Sequence, residues 1–205
     1  MKLYYSPGAC SQAVHIALHE AGIEHQSERV DLRAKQTESG ADYWAINPKG
    51  AVPALDLGDG QVLTENAAIL QYVGDLASND ALLPPVGDVR RYRVLEWLNF
   101  IATELHKGFV PLFTPGASAE SKQGALDTLA KKFAFTEKQL GAGPYVLGDQ
   151  LTVADPYLFV IAGWAAMFHI DLGPGLVAFA KRMRERPAVG IVLRAEGLAG
   201  DEAAS

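Results

Sequence analysis

The sequence predicts an α/β unit of order βαβαββα followed by an all-helical unit, and three observations carry that expectation. Strand-like and helix-like segments alternate over the first 78 or so residues. Turn-formers then crowd Ser78-Asn79-Asp80 through Pro84-Pro85-Val86-Gly87. Beyond them no strand signal of any strength remains. With 205 residues the chain can form one large domain or two small ones, each able to bury a core. The expected division is residues 1–78, a linker 79–87, a helical domain 88–196 and a small acidic tail 197–205.

Residues 2–5 form a short apolar strand. Residues 11–21 place Val14, Ala17, Leu18 and Ala21 on one helical face and end at Gly22, a good C-cap. A second strand at 28–32 completes a crossover unit that favours parallel pairing. A polar loop leads to a short helix at 41–46, stopped by Asn47-Pro48-Lys49-Gly50. Residues 52–57 and 61–64 flank Gly58-Asp59-Gly60 as a hairpin, and a helix at 65–76 closes the unit. Helical patterns follow at 89–113, 119–140, 152–168, 176–186 and 188–195.

Half the residues are hydrophobic (49%) and a fifth charged (20%), which marks a globular chain rather than a disordered one. The net charge of −6 opposes the basic surface that a phosphate backbone demands, so nucleic acid is not an expected partner. The first residues lack the apolar core of a secretory signal, and the most apolar stretch, 157–168, is too short to span a bilayer. A cytoplasmic protein with no membrane partner is expected.

The one cysteine, Cys10, falls where the first strand hands over to the first helix. Unpaired N–H groups and a partial positive charge at a helix start favour thiolate, so Cys10 is a candidate reactive group; a small buried apolar residue is the competing reading. Ala13 stands where a dithiol motif would carry a second cysteine, so any redox chemistry needs an external thiol. Val52-Pro53 opens a strand, where proline serves as a plain turn or, if cis, re-aims the Val52 backbone towards a peptide-like ligand. Thr64-Glu65-Asn66 starts the third helix, either capping it or receiving a carboxylate on its N–H groups and an ammonium on Glu65. Asn99, Thr103 and His106 share one face of a helix, a polar edge amid Trp97, Leu98, Ile101 and Leu105 that suggests a cleft wall. A histidine there is either structural or, near Cys10, a proton acceptor or a donor to a sulfur anion.

His15 and His19 have metal-ligand spacing, but no third ligand lies nearby in sequence, so no metal is expected and both are read as ordinary helix residues. Thr152-Val153-Ala154-Asp155 is a capping box with Asp in place of Glu, and Pro156 directly after it is unusual.

Together these segments resemble a bacterial beta-class glutathione S-transferase over nearly the whole chain. Asn47-Pro48-Lys49-Gly50, Val52-Pro53-Ala54-Leu55 and Leu63-Thr64-Glu65 carry the superfamily likeness, and Cys10-Ser11 with Asn99 through Lys107 the class likeness. The resemblance implies a thioredoxin-like domain followed by an all-helical one, a homodimer, and glutathione as co-substrate without a cofactor. It places Cys10 beside the glutathione sulfur, with His106 assisting and Ser11 among the glutathione-binding residues. It gives Lys35 the glycyl carboxylate, and the Val52 backbone beside cis-Pro53 the cysteinyl unit. Glu65 and Asn66 receive the γ-glutamyl end, and Asn99, Thr103 and Glu104 contribute from the partner helix. Asn66 departs from the small residue usual there. An apolar pocket near Phe109, Phe113, Trp164 and Phe168 is expected to take a hydrophobic electrophile with broad specificity. Conjugation is the leading activity. A thiol-disulfide or peroxide reaction through a Cys10-glutathione mixed disulfide and a non-catalytic carrier are the alternatives.

Overall fold

The computed structural model describes residues 1–77 and 82–199. Strand β1 (Lys2–Tyr5) leads through a loop into helix α1 (Ser11–Glu20), and β2 (Gln26–Asp31) returns parallel to β1 with Leu3 opposite Ser27. A two-residue strand, β3 (Gln36–Thr37), pairs antiparallel with β2 and precedes the short helix α2 (Tyr43–Ile46). Then β4 (Ala54–Asp56) and β5 (Val62–Thr64) form the expected hairpin, and α3 (Asn66–Leu76) follows. Antiparallel pairing of β4 with β1 completes a mixed sheet of order β3-β2-β1-β4-β5. This is the expected thioredoxin-like arrangement with one strand added. Two residues carry no periodicity, so β3 left no trace in the sequence pattern. Likewise β2 begins two residues early, because Gln26 and Ser27 pair through the backbone without an apolar alternation.

The helical part comprises α4 (Val89–Phe100), α5 (Val110–Phe113), α6 (Ala119–Leu140), α7 (Ala154–Met167), α8 (Gly173–Arg184) and α9 (Pro187–Ala195). The single helix expected over 89–113 does not keep one pitch. Between α4 and α5 the chain widens into π-helical turns at Ile101–His106 and tightens into a 3₁₀ turn at Lys107–Phe109. Residue 78, the expected linker residues 79–81 and the tail residues 200–205 lie outside the described residues.

Alternation along β1 sends Leu3 and Tyr5 to one face of the sheet and Tyr4 to the other. The first face joins α1 and α3 to a core that runs on into the bundle through Leu98, Ile101, Tyr157 and Ile161. Tyr4, Val30, Tyr43 and Ala54 form a smaller cluster under α2. Each large side chain withdrawn from water in this way contributes about 1.5–3 kcal/mol. No helix among the described residues is long and apolar enough to cross a membrane. The apolar stretch at 157–168 lies mostly within α7 and is largely buried, as a core helix.

At the start of α7, Asp155 accepts hydrogen bonds from Thr152 N (2.7 Å), Thr152 Oγ1 (2.9 Å) and Val146 N (2.8 Å). The capping box thus also anchors the preceding loop. Pro156 sits in the first helical turn, where its missing N–H has no intrahelical acceptor to lose.

Contacts from the helical part fix the loop before α1. Gly8 N donates to Glu196 Oε2 (2.9 Å), and Trp164 Nε1 donates to Gly8 O (2.9 Å). Gly8 adopts φ +68°, a conformation natural to glycine, so both of its peptide groups can face these partners. Arg186 forks onto both carboxylate oxygens of Glu20, and Arg91 onto those of Asp75.

Candidate active site

Cys10 immediately precedes α1 and is buried, with Sγ 3.3 Å from Val52 O. The expectation of an easily ionised thiol does not hold for this state. Burial pushes the Cys10 thiol up to about 12, outweighing the N–H groups of Cys10 and Ser11 and the Lys107 charge that favour thiolate. Cys10 is therefore a neutral donor to the Val52 carbonyl.

Around it lies a cleft of about 420 Å³, lined by Val52, Pro53, Thr64, Glu65, Asn66 and His106, together with Lys49, Ala102, Lys107 and Tyr157 among others. The Val52–Pro53 bond is cis. Glu65 holds φ +73° just before α3 and forms no side-chain cap, so its carboxylate turns outward and accepts from Lys49 Nζ (2.6 Å). That hydrogen bond is the main reason its carboxyl lies below the ordinary range. Lys49 Nζ also donates to Thr64 Oγ1 (3.0 Å), so a cation of the chain itself already occupies the carboxylate expected to receive an ammonium group. Asn66 Nδ2 donates to Cys10 O (2.8 Å), while its buried Oδ1 has no partner. A buried acceptor left open at a cleft wall suits an incoming donor.

His106 Nδ1 lies 2.7 Å from the Tyr157 hydroxyl, and its ring packs edge-on against Trp164 at 5.0 Å. Burial lowers the imidazole to about 4, helped by the Lys107 charge, and raises the Tyr157 phenol. His106 is neutral at pH 7.

The π turns alter the face expected for Asn99, Thr103 and His106. His106 and Ala102 reach the cleft, whereas Asn99 and Thr103 are exposed outside it. Thr103 Oγ1 donates to Asn99 O, and Asn99 Nδ2 to Leu95 O. Glu104, exposed as well, receives Lys132 Nζ at 2.6 Å. Ser11 is buried and tied to Ser6, donating to its carbonyl and accepting from its amide. Lys35 lines an adjoining cleft of about 860 Å³ with Phe113 and Trp164, its Nζ donating to Gly50 O (2.6 Å). Phe109 is fully buried and Phe168 half-buried; both stack behind that wall on Phe113, so neither is among its lining residues.

Lys49, Tyr157 and Lys107 are among the lining residues that the sequence reading does not assign to the site. Lys49 lay in a segment read as a helix stop, and Tyr157 in one read as core. Lys107 directly follows His106 but was given no role.

A mixed sheet of thioredoxin type, a helical unit gripping its first loop, and a thiol beside a cis-proline define a class of protein. Residues 7–76 match the glutathione S-transferase N-terminal domain model and residues 100–187 the C-terminal domain model. The chain belongs to the glutathione S-transferase family. The glutathione S-transferase GstA of Escherichia coli O157:H7 is 48% identical, over 97% of this chain and 100% of the relative. A sphingomonad glutathione S-transferase solved with glutathione superposes with TM-score 0.93 at 46% identity, covering 97% of this chain and 100% of that one. A beta-class enzyme from Sphingomonas chungbukensis gives 0.92 at 46% identity, with the same coverage. Within the family the chain is of the bacterial beta class, and it is a glutathione transferase.

Proposed function

We propose that this enzyme conjugates the glutathione thiolate to hydrophobic electrophiles, with Cys10 and His106 at the sulfur site. The convergence of Cys10, Val52, Glu65, Asn66 and His106 on one cleft carries the reading. Glutathione itself comes from the family and from the bound sphingomonad relative.

Magnitudes support a division of roles. An imidazole near 4 is too weak a base to take a proton from a thiol near 8.5, a mismatch of about 6 kcal/mol. His106 therefore acts as a donor. In this reading the Tyr157 O–H, 2.7 Å from Nδ1, is the donor to it, and the ring proton sits on Nε2 for the sulfur. Cys10 S–H is a second neutral donor, and the Lys107 charge adds to both. These groups favour the anionic sulfur of glutathione, whose proton leaves to solvent. The thiolate then attacks the electrophilic carbon, forming a C–S bond as the leaving group departs with its electron pair. With Cys10 held neutral, conjugation is favoured over a route through a Cys10 mixed disulfide.

Glu65 takes the γ-glutamyl ammonium as Lys49 swings away, Asn66 Oδ1 accepts from the same end, and Lys35 takes the glycyl carboxylate. The electrophile enters between Phe113 and Trp164, with Phe109 and Phe168 as backing. The chain works as a homodimer in the cytoplasm, divided as 1–78, 79–87, 88–196 and 197–205. Asn99, Thr103 and Glu104 are exposed outside this chain's own cleft, as residues offered to a partner's site must be. Turnover of a chlorodinitroaromatic with glutathione tests the reading. A rate above background is expected; a protein that binds glutathione and gives no such rate would overturn it.

A further inference from the structure

The largest of the clefts described is not the one that holds Cys10. It is an open groove of about 980 Å³ that shares no lining residue with the Cys10 cleft, and His15, His19 and His25 stand along it.

The chain builds this trio with the motif that ends α1. His15 and His19, four residues apart, lie on one helical face. Gly22 then takes φ +66°, with its N–H on His19 O (3.1 Å), while Ile23 N donates to Leu18 O (3.0 Å). This Schellman closure turns the chain back on itself and delivers His25 beside His19. The ring centroids are 5.5 Å apart for His15 and His19, 5.6 Å for His15 and His25, and 5.0 Å for His19 and His25. One ligand nitrogen from each ring lies within 4.8 Å of the other two.

We propose that His15, His19 and His25 form a binding site for a divalent transition-metal ion of the zinc class, with its fourth position open to the groove. Three imidazoles plus an open position are a common zinc ligand set, and imidazole also suits nickel and copper. Metal–nitrogen bonds of about 2.0–2.1 Å require the nitrogens to draw in to about 3.3 Å. Side-chain rotation at the half-buried His19 and His25 supplies that adjustment.

Two hydrogen bonds prepare the ligands. Nδ1 of His15 is 3.1 Å from the buried Glu196 carboxylate, and Nδ1 of His25 is 2.9 Å from Ile23 O. Each partner holds a proton on Nδ1 and leaves Nε2 with its lone pair, the carboxylate and carbonyl support typical of metal-bound histidine. Glu24 and Asp56 add negative charge along the groove, and its lysine, Lys2, is paired with Glu28 at 3.0 Å.

Zinc chloride titrated into tag-free, full-length protein against a chromophoric chelator tests the site. One zinc per chain is expected. Affinity should fall at least about tenfold in His19→Gln and in His25→Gln, and stay unchanged in Cys10→Ser. X-ray absorption on the zinc-loaded wild type, which needs no variant to fold, should show nitrogen ligands near 2.0 Å and no sulfur. Fewer than one zinc per chain, binding unaffected by both histidine variants, loss in Cys10→Ser, or sulfur in the shell would each overturn the site.

Discussion

Replacing Cys10 by alanine separates two roles that look alike in sequence. With the thiol held near 12, fewer than one Cys10 in about 10⁴ is ionised at pH 7.5. In the proposed chemistry Cys10 donates one hydrogen bond, made to Val52 O in the free enzyme and passed to the glutathione sulfur on binding. A hydrogen bond to a charged group contributes about 1.5–3 kcal/mol. Its loss should lower kcat/KM for a chlorodinitroaromatic between about 10- and 150-fold. The small cavity and the unpaired Val52 carbonyl cost about 1 kcal/mol of stability, so the variant folds. Steady-state kinetics measure the first effect, and mass spectrometry after incubation with oxidised glutathione measures the second role. A loss beyond about 10⁴-fold, or full conversion to a mixed disulfide within minutes at pH 7, would refute the reasoning.

Tyr157→Phe removes the hydroxyl that sets the His106 tautomer, so kcat should fall about tenfold with glutathione KM nearly constant. An unchanged kcat would separate Tyr157 from the reaction. The His106 pKa of about 4 lies below the unfolded value of about 6.5, so the unfolded chain binds the extra proton between those values. The associated stability is complete above pH 6.5 and is lost as pH falls towards 4; it amounts to at most about 3 kcal/mol, less for the ring's partial exposure. Thermal melts of His106→Gln should therefore vary less with pH across that window than those of the wild type. Asp155→Ala strips two buried backbone amides and a hydroxyl of their acceptor. A cost of about 3–5 kcal/mol should lower Tm by about 10 °C, and a drop under 3 °C would deny the carboxylate its anchoring role.

The order of elements was legible because each carried an apolar period or a turn signal long enough to read. Gly22 as a C-cap and the Thr152–Asp155 box are local chemistry and were found in place. What escaped was short or tertiary. The two residues of β3 give no period, and the π turns after Phe100 depend on packing, so the shared face of Asn99, Thr103 and His106 did not survive. The state of Cys10 turned on burial. A helix start argued for thiolate, yet desolvation outweighed it, and desolvation is a property of the whole fold. His25 was missed for a related reason, since three imidazoles meet only after the turn at Gly22 folds the chain back.

The central claim is that the cleft stabilises an anionic glutathione sulfur through neutral donors. A pH titration of thiolate ultraviolet absorbance, with glutathione bound to saturation in the absence of electrophile, tests it most directly. Free thiol titrates at about 8.5, and bound glutathione should reach half-ionisation at about pH 6.5. Half-ionisation at the free value would contradict it.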